Sequence, residues 1–473
     1  MVSFFVALAV LVVGYLIYGA IVDRAFGPDD RQTPAIKNAD GVDFVPMPTW
    51  KIFMILLLNI AGLGPIFGAI GGALWGPQVF LWIAFGTIFA GAVHDYLSGM
   101  ISMRHEGASV AEISGIYLGG GMKIVMRIFT VVLLIFVGTV FWTGPAGLLA
   151  RLTGFNPIIA GLGFWVLVIF VYYFLATMVP IDKIIGRIYP IFGAVLIFMA
   201  IGIFVGIFFG GYAGNLDEIT FTNVHPKQLP IWPLMFITVA CGALSGFHST
   251  QSPIMARCVK SERQGRKIFF GAMVAEGLIA LIWAAAACAF YPTYQALAAA
   301  GAQANVVFEI SLGTLGAIGG GLAVLGVIVC PITSGDTAFR SARLTLADWF
   351  GFDQGPIKNR LLIAIPMLLI ALFLSKVDYQ IIWRYFAWSN QTLATIVLWA
   401  GAVYLFKKGK SKIYAAIPAI PATFMSATTV TYIFIAPEGF TLPYSVGLPI
   451  GIISAAVCLF LFLFLVVSKG NKQ

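Results

Sequence analysis

Apolar segments of about 20 residues recur along almost the whole of the 473-residue chain, and no other feature restricts its fold as strongly. A membrane span needs roughly 20 mostly apolar residues. Because the lipid core holds no water, a span must satisfy its backbone hydrogen bonds internally, which favours helices. Charged residues make up only 10% of the chain, whereas soluble domains average about a quarter. The sequence therefore predicts an all-α membrane protein with a single membrane domain, residues 1–473.

About thirteen transmembrane helices are predicted from these segments. They are placed at residues 2–22, 51–75, 78–102, 122–147, 157–178, 185–210, 231–256, 266–290, 315–342, 359–375, 380–406, 413–435 and 444–468.

The distribution of basic residues predicts the orientation of these spans. With the N-terminus outside, the short connections on alternate sides carry nearly all of the lysine and arginine, as expected of cytoplasmic loops. Of 28 such residues, only Arg151, Lys227, Lys376 and Arg384 fall at or near the outer side. The N-terminus is thus predicted to lie outside and the C-terminus in the cytoplasm. The net charge of +9 belongs to these loops, so nucleic-acid binding is not predicted.

Two predicted spans are interrupted by polar, glycine-rich stretches. Residues 59–68 read NIAGLGPIFG, and residues 241–250 read CGALSGFHST. Glycine and proline weaken a helix interior, and backbone freed inside a membrane must line a cavity or meet protein partners. The broken spans are the second and the seventh and run in opposite directions, as an inverted five-plus-five repeat of the LeuT-like type requires. Close helix packing through small residues is the alternative explanation of these glycines.

This interpretation divides the chain into parts. The predicted parts are an extra N-terminal helix at 2–22, a first repeat at 51–210, a second repeat at 231–406 and two extra C-terminal helices at 413–468.

Two connections are longer than turns. Residues 23–50 are predicted to form an ordered coil on the cytoplasmic side. Residues 291–314 carry no lysine or arginine and are predicted to lie on the outer surface. Either a gate or a simple re-entrant or interfacial helix would explain this outer segment.

The two breaks provide the candidate substrate site. The free N–H groups and positive end of a half-helix suit a carboxylate, and a polar cluster in the eleventh predicted span is expected to face the same cavity. The candidate substrate-binding residues are Gly62, Gly64, Gly242, Ser245, Gly246, His248, Ser249, Asn390 and Gln391.

Ionisable side chains within spans are costly and by default indicate function. Asp95, Glu276 and Asp336 are therefore the candidates for ion coupling. Asp336 and Arg340 are four residues apart, so that mutual neutralisation on one helix face is an equally good explanation. Asp95 has a structural alternative too, as the partner of an inward-facing arginine or a helix N-terminus. Glu276 has no charged neighbour within a turn, which favours coupling or an interhelical hydrogen bond.

The hydroxyl groups of Thr333, Ser334 and Thr337 lie close to Asp336 in sequence. Hydroxyl and carbonyl oxygens with one carboxylate can hold a hard cation, although interhelical hydrogen bonds would use the same groups. A proton is the favoured coupling ion because of the buried carboxylates, and sodium is the alternative.

No cofactor or metal is predicted, and the chain is not predicted to be an enzyme. The five cysteines lack metal-ligand spacing, and His105-Glu106 is not followed by a second histidine at the zinc-protease spacing. A passive channel would be expected to show a charged or carbonyl-lined pore, and none is evident. A substrate-sensing role remains open. The predicted partners are the bilayer and a small-molecule or peptide substrate; the oligomeric state is not predicted.

The chain resembles the carbon starvation protein A family over nearly its whole length. The resemblance rests on the motifs AGLGP at 61–65, GAVHD at 91–95, CGALSGFH at 241–248, SGDTAFR at 334–340 and WSNQTLA at 388–394. It implies a bacterial inner-membrane importer related to the amino acid–polyamine–organocation superfamily, with the five-plus-five core. It further implies uptake of peptides under carbon starvation or proton-coupled uptake of pyruvate. The residues themselves do not distinguish these substrates.

Overall fold

The computed structural model describes residues 1–40, 44–157, 159, 161–178, 181–354 and 356–468, and every regular element within them is helical. In that part of the chain, nine helical segments are long and apolar enough to cross a membrane, and three apolar helices are shorter. The segment Gly64–Arg104 contains the second part of the predicted span 51–75 and the whole of the predicted span 78–102, and it bends between them at Gly76, where φ is 77° and ψ is −164°. The all-α membrane fold is confirmed, whereas the number of thirteen spans stays a prediction.

Most of the helices are joined by short connections, and the connections 27–48 and 210–230 are longer. We number them α1 (Val2–Phe26), α2 (Thr49–Ile60), α3 (64–78), α4 (79–104), α5 (Val110–Leu118), α6 (Gly120–Leu152), α7 (Leu162–Met178), α8 (Ile181–Phe209), α9 (Ile231–Val239), α10 (His248–Ala256), α11 (Gly271–Phe290), α12 (Tyr294–Ala299), α13 (Gln303–Phe350), α14 (Ile357–Leu374), α15 (Tyr379–Lys408), α16 (Ala416–Ile435) and α17 (Tyr444–Leu461).

The first break separates α2 from α3. Helix α2 ends at Ile60, and the chain resumes at Gly64 with a wide π turn. The carbonyl of Ala61 accepts a hydrogen bond from the Cys330 thiol at 2.7 Å, and the Ser334 hydroxyl donates to the carbonyl of Leu58 at 3.0 Å. Side chains of α13 therefore satisfy the carbonyls that the break frees, as a dry surrounding demands.

The second break separates α9 from α10. Helix α9 ends at Val239, and Ala240 adopts a φ of 47°, a conformation that residues other than glycine rarely take. The N–H of Phe247 donates to the side-chain oxygen of Asn390 at 2.7 Å, and the N–H of Gly246 donates to the backbone carbonyl of Asn390 at 3.0 Å. Helix α15 thus holds this break in place.

Hydrogen bonds between loops and helix ends group these ends on two opposite faces of the molecule. On the first, which we call the basic face, Met47 bonds to Cys258 and Lys410 bonds to Ala25 through backbone groups. On the opposite face, Asn215 bonds to Ala289 and Tyr294 to Asp217. These contacts fit the grouping of loops predicted from the lysines and arginines, and the orientation of the chain stays a prediction. Lys469 and Lys472, which belong to that prediction, lie outside the described residues.

The two longer connections differ in structure. The N-terminal helix extends to Phe26, four residues beyond the predicted 2–22, and a short helix at Pro34–Lys37 follows it. The segment 291–314 consists of α12 and the first part of α13, which turns at Gly316, where φ is 67°. It is thus helical on the opposite face.

A buried ion pair ties the basic face together. Arg104 donates twice to Glu262, with both distances 2.9 Å, and also donates to the hydroxyl of Tyr404 and the carbonyl of Gly27. The side chain of Glu262 is only 1% exposed. The ion pair of Lys37 and Glu106 on the same face is exposed instead.

We expect Glu262→Ala to lower the free energy of unfolding in detergent by about 3–5 kcal/mol, because it leaves the Arg104 charge buried without its partner. The control Lys37→Ala removes an exposed pair and should lower it by about 1 kcal/mol or less. Denaturant titration of both purified variants measures the difference. Equal, small losses would contradict the structural role given to Glu262.

Candidate functional site

Three of the predicted ionisable residues meet in one buried network, although the sequence separates them by up to 181 positions. Asp95 lies in α4, His248 is the first residue of α10, and Glu276 lies in α11. Each is at most 1% exposed. Helix α11 packs against both breaks, so the network lies beside them.

Asp95 is the centre of this network. Its Oδ2 lies 2.8 Å from Nδ1 of His248, and its Oδ1 lies 2.7 Å from Nδ1 of His94. Nε2 of His248 lies 3.3 Å from Oε2 of Glu276. The structural alternative for Asp95 named an arginine or a helix N-terminus as its partner. In the structure its partners are two histidines, His94 and His248.

With Asp95 ionised, the geometry favours one position for a mobile proton. Because the Asp95 carboxylate accepts from both imidazoles, each Nδ1 carries a hydrogen. Nε2 of His248 and the Glu276 carboxylate then each present a lone pair to the other, which is repulsive. One proton between the two atoms turns this contact into a hydrogen bond. Losing that proton would leave two carboxylates and no cation in a dry site, which is unfavourable. The network can therefore take up and release one proton, provided that release accompanies access to water.

Asp336 lies elsewhere, on the side of α13 that faces α7. Its Oδ1 is 3.9 Å from an Arg340 nitrogen one turn away, and that arginine donates to the carbonyl of Ala176. This geometry fits the mutual neutralisation that the spacing of Asp336 and Arg340 allowed.

The three hydroxyl groups near Asp336 act as donors to backbone carbonyls. Thr333 donates to Cys330 at 2.7 Å, Ser334 donates to Leu58, and Thr337 donates to Ser334 at 2.9 Å. They fit the interhelical and intrahelical hydrogen bonds that were the alternative to a cation site.

The glycines of the breaks lie where two segments pack closely. A Cβ on Gly62 would come within 2.4 Å of the Phe141 ring, and one on Gly64 within 2.3 Å of the Cys241 Cβ. A Cβ on Gly242 would lie 2.8 Å from Ala280, and one on Gly246 only 2.3 Å from the Asn390 carbonyl oxygen. The packing explanation therefore holds for all four, and their proposed contact with substrate stays a prediction.

The remaining candidates for substrate contact surround the second break. Ser245 donates to Asn390 at 3.2 Å, and Ser249 donates to the carbonyl of Gly246 at 2.6 Å. Gln391 donates to the carbonyl of Phe236 at 2.8 Å. Asn390 is thus the residue that connects α15 to the break, a role that the sequence did not predict.

A cleft of about 360 Å³ opens on the opposite face above the breaks. Phe67, in the first turn of α3, lines it together with Thr143 of α6 and Tyr379 of α15. Aromatic rings continue inward from it. Their centroid distances are 6.1 Å for Tyr379–Trp383, 5.3 Å for Trp383–Phe386, 6.2 Å for Phe386–Phe141, 6.0 Å for Phe141–Phe247 and 6.4 Å for Phe247–His248.

The sequence analysis missed the residues of this aromatic path. Aromatic residues are common in membrane helices, so Tyr379 and Trp383 carried no distinguishing signal. In the described part of the chain, no group of three His, Cys, Asp or Glu side chains is arranged to hold a metal ion.

Comparison with known proteins identifies the family. The family model described as carbon starvation protein CstA matches residues 1–151, 156–311 and 297–432. An uncharacterized membrane protein of Haemophilus influenzae is 44% identical, over 63% of this chain and 93% of that protein. The peptide transporter CstA of Bacillus subtilis is 26% identical, over 89% of this chain and 88% of its own. The pyruvate/proton symporter BtsT of Escherichia coli is 27% identical, over 60% of this chain but only 48% of that protein.

Solved structures share the fold. Mhp1, a nucleobase-cation-symport-1 family transporter in a closed conformation, matches with a TM-score of 0.56 and 15% identity, over 89% of this chain and 93% of that one. A Na⁺-coupled sialic acid symporter in an outward-open state matches with a TM-score of 0.52 and 15% identity, over 98% of both chains. These similarities confirm the LeuT-like core; the limits of the two repeats stay predictions.

Proposed function

This chain belongs to the carbon starvation protein CstA family and is a multi-pass membrane transporter rather than an enzyme. From that premise we propose that it imports a small carboxylate such as pyruvate, or short peptides, by proton symport. The observation that carries the proposal is the buried network of Asp95, His248 and Glu276. It has room for one exchangeable proton and lies beside both helix breaks.

Alternating access around the breaks at 61–68 and 242–249 provides the mechanism. Substrate reaches the breaks from the opposite face, and its carboxylate is attracted by the positive end of the α10 helix dipole. A proton shared by His248 and Glu276 lowers the charge of the network and permits closure. Opening toward the basic face admits water, and the proton leaves with the substrate.

The charge of the two faces supports an orientation for this cycle. The basic face lies in the cytoplasm and the opposite face outside, since lysine and arginine concentrate on the cytoplasmic side of membrane proteins. The membrane is the bacterial inner membrane, because similar bacterial proteins are a peptide transporter and a pyruvate/proton symporter. The N-terminus is then outside and the C-terminus inside.

Sodium coupling at Thr333, Ser334 and Thr337 is the second candidate. It has less support because the three hydroxyl groups donate to backbone carbonyls. A sodium ion would need the oxygens of these carbonyls as ligands, and the hydroxyl hydrogens already occupy them. A passive carrier has less support as well, because it would not need a buried titratable network.

Uptake by proteoliposomes tests the proposal. We expect labelled pyruvate or labelled dialanine to accumulate above equilibrium when an inward proton gradient is imposed without sodium, and a protonophore should abolish the accumulation. Accumulation only after sodium is added would move the coupling to the hydroxyl groups near Asp336. Equilibration without accumulation under either gradient would make the protein a passive carrier.

A further inference from the structure

Two hydrogen-bond donors on α15 lie buried without a partner in the part of the chain that the structure describes. They are the hydroxyl of Tyr379 and the indole N–H of Trp383. The two residues are four apart on one helix, so they share a face, and both rings contact Phe67 of the first break, with centroid distances of 6.3 and 6.0 Å. Trp383 is only 2% exposed.

The other aromatic donors of the same helix are satisfied. Tyr385 donates to the carbonyl of Glu438 at 3.3 Å, Trp388 to that of Thr429 at 3.0 Å, and Trp399 to the hydroxyl of Ser426 at 3.1 Å. A buried donor left unpaired costs about 1–3 kcal/mol. Unlike their neighbours, Tyr379 and Trp383 therefore carry the free-energy cost of an unpaired buried donor. A ligand with acceptor oxygens would remove this cost.

Tyr379 lies in the wall of the cleft on the opposite face, and Trp383 packs behind that wall against Tyr379 and Phe67. Tyr379 and Phe67 line this cleft directly, and Trp383 is the next ring inward. The other polar groups there are already engaged: Thr143 donates to Thr139, and Gln380 donates to Gln303 at 2.8 Å. Asp378 accepts from two N–H groups at the start of α15.

We propose that Tyr379 and Trp383 form the outer substrate subsite, in which the hydroxyl and the indole N–H donate to the carboxylate or carbonyl oxygens of the entering substrate. This inference rests on the proposed import function and adds the residues that receive the substrate first. Ligand pockets typically measure about 300–1,000 Å³. The cleft, at about 360 Å³, is near the lower end and fits a small oxoacid or a dipeptide rather than a longer peptide.

The aromatic path extends the subsite inward. From Trp383 the rings of Phe386, Phe141 and Phe247 lead to His248. Three aromatic rings therefore separate the outer subsite from the His248 end of the buried network.

Substitution of the two donors tests the subsite. Tyr379→Phe and Trp383→Phe should each raise the KM for labelled pyruvate or labelled dialanine, whichever the wild type transports, by about three- to tenfold, the effect of one hydrogen bond. The maximal rate should stay close to that of the wild type. Tyr385→Phe and Trp388→Phe on the same helix are the matched controls and should leave KM unchanged. An unchanged KM in both subsite variants would overturn the proposal.

A second measurement needs no substrate and so separates this inference from the proposed function. The ligand-free Tyr379→Phe protein should keep or exceed the thermal stability of the wild type in detergent, because the removed hydroxyl has no partner. Tyr385→Phe should be less stable than the wild type. If Tyr379→Phe loses as much stability as Tyr385→Phe, the hydroxyl has a structural partner and the subsite assignment fails, whatever the transport assays show. If the wild type transports neither compound, the proposed function fails while this measurement still decides the state of the hydroxyl.

Discussion

Glu276→Gln is expected to abolish proton-driven accumulation of substrate while exchange of substrate across the membrane continues. Glutamine keeps the size and the hydrogen-bonding capacity of the side chain but cannot take up or release a proton. The site beside His248 then remains permanently in its uncharged form, which permits closure on either side of the membrane. Net uptake requires release of the proton on one side, whereas exchange of substrate for substrate does not.

Two assays on the same proteoliposomes measure this difference. Accumulation under an imposed pH gradient should fall to the passive level, and counterflow of labelled substrate against an internal unlabelled pool should remain within about twofold of the wild type, a difference of less than 1 kcal/mol. Glu309→Gln is the control, because Glu309 is exposed on the opposite face, where it accepts from Tyr291. If accumulation and counterflow are lost together in a correctly folded Glu276→Gln protein, Glu276 has another role than proton coupling.

Gly246→Ala is expected to eliminate transport in both assays. The added methyl group would lie 2.3 Å from the carbonyl oxygen of Asn390 and 2.7 Å from the backbone nitrogen of Ala394. Both atoms belong to the backbone of α15, so no side-chain rotation relieves the contact. The second break must move away from α15, and the hydrogen bonds of Phe247 and Gly246 to Asn390 are lost with it.

Overpacking of this kind typically lowers the free energy of unfolding by about 1–3 kcal/mol, and the loss of the hydrogen bonds that the N–H groups of Gly246 and Phe247 donate to Asn390 adds to that. The matched control is Gly163→Ala in α7, where nothing lies within 4 Å of the added methyl group. It should leave transport unchanged and slightly stabilise the helix, since alanine is the better helix former. Uptake and thermal stability of the two variants are compared in one preparation. Wild-type uptake by Gly246→Ala would show that contact between the break and α15 is dispensable.

The positions of the breaks were predictable from sequence because glycine and proline inside an apolar segment have few explanations. The stretches around Gly62 and Gly246 read as interruptions, and both are interruptions in the structure. The direction and spacing of the broken spans then indicated the repeat. Their partners were not predictable, because the thiol of Cys330 and the side chain of Asn390 meet the breaks from helices that are distant in sequence.

The proton network was predictable in its parts but not as a unit. Asp95 and Glu276 were recognised as costly inside a span and assigned to coupling, whereas His248 was assigned to the substrate site. The contact between Asp95 and His248 spans 153 residues, and a single sequence carries no signal for such a pairing. For Asp336 the i,i+4 spacing to Arg340 was informative, because it depends only on helix geometry.

The two breaks are anchored by unlike chemistry, and this gives the core a built-in polarity. The first is held through its carbonyl oxygens, by the thiol of Cys330 and the hydroxyl of Ser334. The second is held through its N–H groups, by the amide oxygen and the carbonyl of Asn390. An inverted repeat with identical anchors would make the two end states of the cycle degenerate in energy. A thiol is a weak donor, so we expect the hydrogen bonds of the first break to open before those of the second. The two end states of the cycle then differ in energy, and the conformational changes at the two breaks follow a fixed order.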